Sequence, residues 1–508
     1  MELSENIQMN LAELKSIVFG KKQVDIEPTV QHKIQESFRF LENFIHDKVI
    51  YGVNTGFGPM AQYRIGEKDR KQLQYNLIRS HATGVGQPLS LEMVRAAVLA
   101  RFNTLSLGYS GVHPSVLDLM KTMLNRSIYP VIFSHGGVGA SGDLVQLAHL
   151  ALAMIGEGEV WYKGERHPTE IVFREEKIEP LKIYIREGLS IMNGTSVMAG
   201  IGLVNIYYAE KLMRLSCVAS SMINELVCSY DDHFSVELNA AKLHKGQRYI
   251  AKQMRNFLQD SSLIRSRKEY LYKAAKEEIF KEKVQEYYSL RCVPQILGPV
   301  QEMIWSAEQT IEKEINSASD NPIVDLASKQ VYHGGNFHGD YIAFEMDKLK
   351  LGITKLCMLA ERQLNYLLNS KINELLPPFV NSGKLGFNFG MQGAQFTATS
   401  TTAENQTLST SMYIHSIPNN NDNQDVVSMG ANAALLCNQV IENSFEVLSV
   451  HFMTIVQAIE VRGCLEQINP NSKKIFDSIR KIFPATQQDV VLYPYIKEVN
   501  DFLKSNNF

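Results

Sequence analysis

The sequence predicts a mainly α fold, with a core of long bundled helices and a smaller mixed domain at the N-terminus. Three observations predict it. Beyond residue 190 the apolar residues recur at helical spacing: Ile342, Met346, Leu349, Ile353, Leu356 and Ala360 form one stripe. Ile441, Phe445, Leu448, Phe452, Ile455 and Ile459 form another, and spacings of three and four mark one buried helical face. Each stripe continues for roughly four turns or more, and long antiparallel helices packed as a bundle are the natural solution. Before residue 190, short apolar runs alternate with glycine- and proline-containing turns, VIYGVNTGFGP, SLGYSGVHP and SHGGVGASGD. Finally, the chain has no internal repeat and no linker rich in Pro, Ser or Gly. Two intimately packed regions, 1–190 and 191–508, are therefore expected where length alone suggests about three domains.

Composition sets the outer bounds. Hydrophobic residues are 45% and charged residues 21%, ordinary for a soluble globular chain and incompatible with disorder. Lys+Arg total 51 against 54 Asp+Glu, a net charge of −3, so no global basic field exists to hold nucleic acid or an anionic membrane. The start, MELSENIQMN, lacks the basic and apolar segments of a secretory signal. No stretch reaches the ~18 uninterrupted apolar residues of a membrane helix; the apolar run 144–155 is broken by Gln146 and His149. Six scattered cysteines with no CxxC pair read as thiols of a reduced cytoplasm. His333 and His338, in HGGNFHGD, are separated by a Gly-Gly loop with no fixed ligand face, and no metal is expected there. The charged segment 265–286 reads as a solvated helix face with Glu/Lys pairs.

Gly137-Val-Gly139-Ala-Ser-Gly142 fits the G-x-G-x-x-G pattern of dinucleotide binding. That fingerprint also needs a second strand with an acid at its end, about 20 residues onward. Here Glu157 and Glu159 precede the next apolar run, EVWY, and the C-terminal half lacks alternating strands and helices. A nucleotide site is not expected.

Chemically, Ala140-Ser141-Gly142 is three small residues flanked by glycine and followed by Asp143. Small side chains let the Gly142 nitrogen approach the Ala140 carbonyl. Ring closure with loss of water from Ser141 would leave an exocyclic methylene, an electrophile that no ordinary side chain supplies.

The surrounding segment, HGGVGASGDLVQLAHLAL, closely resembles the active-site segment of the aromatic amino acid ammonia-lyases, which act on histidine, tyrosine or phenylalanine. Further segments match in the family's order: YGVNTGFGP, NLIRSHATGVG, REGLSIMNGTS, VQEYYSLRCVPQILG, SASDNP, GGNFHGD and NQDVVSMG. The resemblance spans most of the chain, and its length is that of the compact bacterial form. It implies a histidine ammonia-lyase-like fold and a homotetramer with active sites shared between chains. It also implies a 4-methylidene-imidazol-5-one (MIO) group formed autocatalytically from Ala140, Ser141 and Gly142, with no external cofactor.

The same resemblance implies roles for single residues. Tyr51 matches the loop tyrosine that removes the β-proton, and Tyr288 the second active-site tyrosine. Arg291 matches the fork on the substrate carboxylate, a geometry that guanidinium suits. Asn193 matches the asparagine beside the MIO ring. Gly58, Leu144, Gln285, Phe337, Asn420 and Asn423 match other substrate-binding positions.

Two positions bear on the substrate. His81, in RSHATG, sits where phenylalanine lyases carry an apolar pair, and its imidazole suits a substrate phenol. With phenylalanine it would lie unpaired, costing about 1–3 kcal/mol. Gln424 stands where histidine lyases typically place a glutamate. His81 argues against phenylalanine and Gln424 against histidine, so the expected reaction is L-tyrosine to trans-4-coumarate and ammonia. Histidine ammonia-lyase and tyrosine 2,3-aminomutase activities are the alternatives.

Overall fold

The computed structural model describes residues 2–3, 9–272, 276 and 278–506. Four long helices dominate: Ser196–Leu226, Val293–Ile315, Asp340–Leu368 and Gly430–Arg462, of 31, 23, 29 and 33 residues. Both expected stripes fall within the last two, and every member is at most 1% exposed. Burying each large apolar side chain is worth about 1.5–3 kcal/mol, so these stripes are core and nothing more specialised. By length and composition Gly430–Arg462 would pass for a membrane span, but 83% of its most apolar window is buried within the fold. It is a core helix.

The chain partitions into two compact units, and neither is one continuous stretch. The first comprises Met1–Tyr207, Ala307–Asp347 and Ser411–Cys437; the second comprises Tyr208–Ser306, Lys348–Thr410 and Asn438–Phe508. Residues 1–190 fall wholly in the first.

Strands are short. Val85–Pro88 pairs antiparallel with Phe133–His135, and Glu159–Tyr162 lies antiparallel between Tyr129–Pro130 and Glu165–Pro168. The strand before Gly137 therefore enters an antiparallel pair, where a dinucleotide unit needs parallel neighbours. Two helices next to the glycine-rich turn matter for the site: Arg70–His81 and Leu144–Met154.

The charged segment departs from expectation. In place of one solvated helix, its described residues hold a single helical turn at Arg267–Tyr270. Its arginines reach distant partners and not i+4 neighbours: Arg267 donates to Asp232 (2.5 Å) and to the Val284 carbonyl (2.7 Å), and Arg265 pairs with Glu282 (2.8 Å). Lys273, Ala274, Ala275 and Glu277 lie outside the described residues. All six cysteines are free thiols, five of them buried.

Candidate active site

Residues 139–142 form a tight turn. Gly139 and Gly142 pair as an antiparallel bridge, with Ser141 at φ 57° and Gly142 at φ 74°. A side chain at Gly142 would come within 2.1 Å of the Gly194 carbonyl oxygen, so only glycine fits this close approach. The Gly194 amide donates to the Ser141 carbonyl (3.3 Å), and its own carbonyl accepts from the Asp143 amide (2.8 Å). A compressed turn of small residues, pinned from outside by backbone, is what cyclisation of Ala140-Ser141-Gly142 requires. The residues present fit an MIO group.

Asp143 ties this turn to the start of the Ser196–Leu226 helix. Its Oδ2 accepts from the Val197 and Met198 amides at 2.8 and 2.9 Å, capping the helix that begins at Ser196. Asp143 is fully buried, and desolvation pushes its carboxyl up to about 7 despite these two bonds. Asn193 is likewise buried, and its amide donates to the Asn321 carbonyl (3.0 Å).

A cavity of about 230 Å³ opens on the turn, lined by His81, Gly136, Val138, Ala140, Gly142, Leu144, Val145, Asn419, Asn420 and Gln424. Six of the expected residues thus share one wall. Ser141 joins them through Gln424, whose amide Nε2 lies 3.3 Å from the serine Oγ. Gly136, Val138, Val145 and Asn419 went unread in the sequence, where a valine or glycine beside a turn carries no chemical signal.

His81 ends the Arg70–His81 helix. Its Nδ1 lies 3.0 Å from the Leu77 carbonyl and 3.0 Å from Ser80 Oγ. A carbonyl only accepts, so Nδ1 carries the proton and Nε2 keeps a lone pair. Burial lowers the pKa of His81 below the ordinary histidine value, the Leu77 bond opposing it, and the ring is neutral at pH 7.

Tyr51 is held at both ends. Its amide donates to His333 Nε2 (3.2 Å), and its phenol oxygen accepts from the Gly58 amide (3.1 Å). Gly58 has φ 52°, and a side chain there would meet Asn420 Nδ2 at 2.6 Å. Asn420, Asn421 and Asp422 are three successive left-handed residues, a sharp turn that brings Asn420 to Gly58. Asn423 is exposed and does not line the cavity. Phe337 is half-buried, two residues before Gly339, whose α-carbon packs against Met198 and Ser428. The histidines in HGGNFHGD serve local contacts: His333 receives Tyr51, and His338 Nε2 lies 3.4 Å from the Val426 carbonyl.

Gln285, Tyr288 and Arg291 form a group of their own in the second unit. Arg291 donates to Gln285 Oε1 and stacks on the Tyr288 ring, 4.8 Å from its centroid. Tyr288 is 69% exposed. Buried amides fix the backbone of this turn: Gln363 donates to the Ser289 carbonyl (2.8 Å) and Asn224 to the Leu290 carbonyl (3.3 Å). Neither amide stood out in the sequence.

Fold and site together define an ammonia-lyase or aminomutase that acts on aromatic amino acids. The chain belongs to the family described as aromatic amino acid lyase, matched over residues 9–481. It is 38% identical to tyrosine 2,3-aminomutase of Myxococcus fulvus over 97% of this chain and 95% of that protein. It is 37% identical to histidine ammonia-lyase of Bacillus cytotoxicus over 98% and 96%. The solved tyrosine aminomutase of Streptomyces globisporus superposes with a TM-score of 0.94 at 34% identity, covering 99% of this chain and 97% of that one.

Proposed function

We propose that the protein eliminates ammonia from L-tyrosine to give trans-4-coumarate. The observation that carries this reading is His81, a cavity-lining imidazole whose Nε2 lone pair has no partner among the described residues. A phenol O–H is the natural donor to it, and a site built around a hydroxyl rejects the analogue lacking one. Gln424, a neutral amide, offers a substrate imidazole no countercharge.

Elimination needs an electrophile for the amine and a base for a barely acidic β-proton. An MIO group held by Ala140, Ser141 and Gly142, beside Asn193, supplies the electrophile. Tyr51 takes the proton. The Gly58 amide donates to its phenol oxygen (3.1 Å) and fixes its position. Arg291 clamps the substrate carboxylate in company with Gln285 and Tyr288, while Leu144 and Phe337 give the ring apolar surface and Asn420 and Asn423 complete the polar rim. A cytoplasmic homotetramer with sites shared between chains, and a division into a 1–190 catalytic domain and a 191–508 helical bundle, complete the proposal.

The relative named tyrosine 2,3-aminomutase favours a second reading, in which ammonia returns to the β-carbon. Incubation with L-tyrosine followed by chromatography tests both: free 4-coumarate accumulating without β-tyrosine supports the lyase. Dominant β-tyrosine would replace it with the mutase.

A further inference from the structure

Arg101 lies on the Leu91–Ser106 helix and is completely buried. Its Nη2 donates to the Ser190 carbonyl, just ahead of Asn193 and Gly194. Its Nε and Nη1 have no hydrogen-bond partner among the described residues, an expensive arrangement for a buried charge. The guanidinium presses on Gly194: a β-carbon built there would stand 2.2 Å from Nη1 and 2.7 Å from the Ser319 carbonyl oxygen. On its other side Gly194 clamps the tripeptide, through the bonds to Ser141 and Asp143 and a parallel bridge to Gly142. Burial brings the Arg101 pKa down to about 10, still charged at neutral pH.

We propose that Arg101 is a positioning residue for maturation, fixing Gly194 as the rigid wall against which Ala140-Ser141-Gly142 closes into its ring. This rests on the reading that the tripeptide cyclises. In that closure the Gly142 nitrogen bonds to the Ala140 carbonyl carbon. The Ala140 oxygen leaves as water with the Gly142 and Ser141 amide protons. The Ser141 hydroxyl then leaves as a second water with the Ser141 α-proton, forming the carbon–carbon double bond. No external reactant is consumed. A turn that could relax away from Gly194 would spend less time with nitrogen against carbonyl, so closure would slow. The guanidinium spans Ser190 and Gly194 at once, and neither an apolar side chain nor one point charge does the same.

The test is maturation, read apart from turnover. Arg101→Lys and Arg101→Met would be purified, and the peptide bearing residues 140–142 weighed for loss of two waters over hours after synthesis. Circular-dichroism melting reports the fold. The proposal expects a ring fraction at least about tenfold lower in Arg101→Met at early times, partial recovery in Arg101→Lys, and cooperative melting in both. If Arg101→Met fails to fold, Gly194→Ala, which sets a methyl against Nη1, should delay the ring in a folded protein. Full ring formation at the wild-type rate in Arg101→Met, or in Gly194→Ala where that variant stands in for it, overturns the proposal. So does a complete ring with lost turnover, which would place Arg101 in catalysis. Wild-type protein that never loses the two waters would instead defeat the cyclisation reading itself.

Discussion

The side-chain amide of Gln424 lies 3.3 Å from the Ser141 hydroxyl, joining positions 283 residues apart. In the proposed reading, the residue that selects the substrate and the one that yields the electrophile thus meet at one contact. Ser141→Ala removes the hydroxyl that must leave to form the methylene. Turnover is expected to fall by about 10³-fold or more, some 4 kcal/mol, with melting unchanged. Product absorbance gives the rate, and the mass of the tripeptide peptide should show no loss of two waters.

His81→Phe removes the lone pair that a phenol would use. For phenylalanine it also removes an unpaired buried polar group worth about 1–3 kcal/mol, so the ratio of kcat/KM for phenylalanine over tyrosine should rise roughly tenfold or more. An unchanged ratio would return His81 to a role in the fold.

The same ring sets a pH dependence. The pKa of His81 lies below the usual histidine value because the ring is desolvated. As pH falls through that lowered pKa, Nε2 gains a proton and ceases to accept. KM for tyrosine should therefore climb on the acid side in the wild type and stay flat in His81→Phe. Steady-state kinetics from pH 8 to 5 would show it.

Tyr51→Phe deletes the proposed base and leaves the Gly58 amide without its phenol acceptor. Loss of a positioned general base costs about 10²–10⁴-fold, expected in kcat with little change in KM. A variant with near wild-type kcat would shift the base role to another group.

His451 offers a prediction about stability alone. It sits inside the Gly430–Arg462 helix, fully buried, with neither ring nitrogen partnered among the described residues, and burial pushes its pKa down to about 3. The unfolded chain binds a proton near pH 6.5 that the folded chain refuses. The stabilising contribution is whole above 6.5 and declines as pH falls toward 3. Between pH 7 and 5 this amounts to about 2 kcal/mol. Denaturant titrations of His451→Met at both pH values should show that part of the acid loss removed.

The stripes from Ile342 and Ile441 were legible because helical periodicity survives any packing detail. The wall formed by Ala140, Gly142, Leu144, His81, Asn420 and Gln424 was legible through resemblance, since no spacing rule connects positions so far apart. What escaped notice was supporting structure: Asp143 as a helix cap, Gly194 as a wall, Arg101 behind it, and Gln363 and Asn224 beneath the Tyr288–Arg291 turn. Each acts on backbone, and a residue that serves backbone looks ordinary in a sequence. The charged segment 265–286 misled for the opposite reason. Its Glu/Lys density imitates helical pairing, yet Arg267 and Arg265 spend their charges on Asp232 and Glu282.

The central claim, a site built around a substrate phenol, is tested most directly by comparing kcat/KM for L-tyrosine, L-histidine and L-phenylalanine on one preparation of purified enzyme, each conjugated product followed by its absorbance. The account predicts tyrosine ahead of both others, with phenylalanine at least about tenfold behind. Faster turnover of histidine or phenylalanine would contradict it.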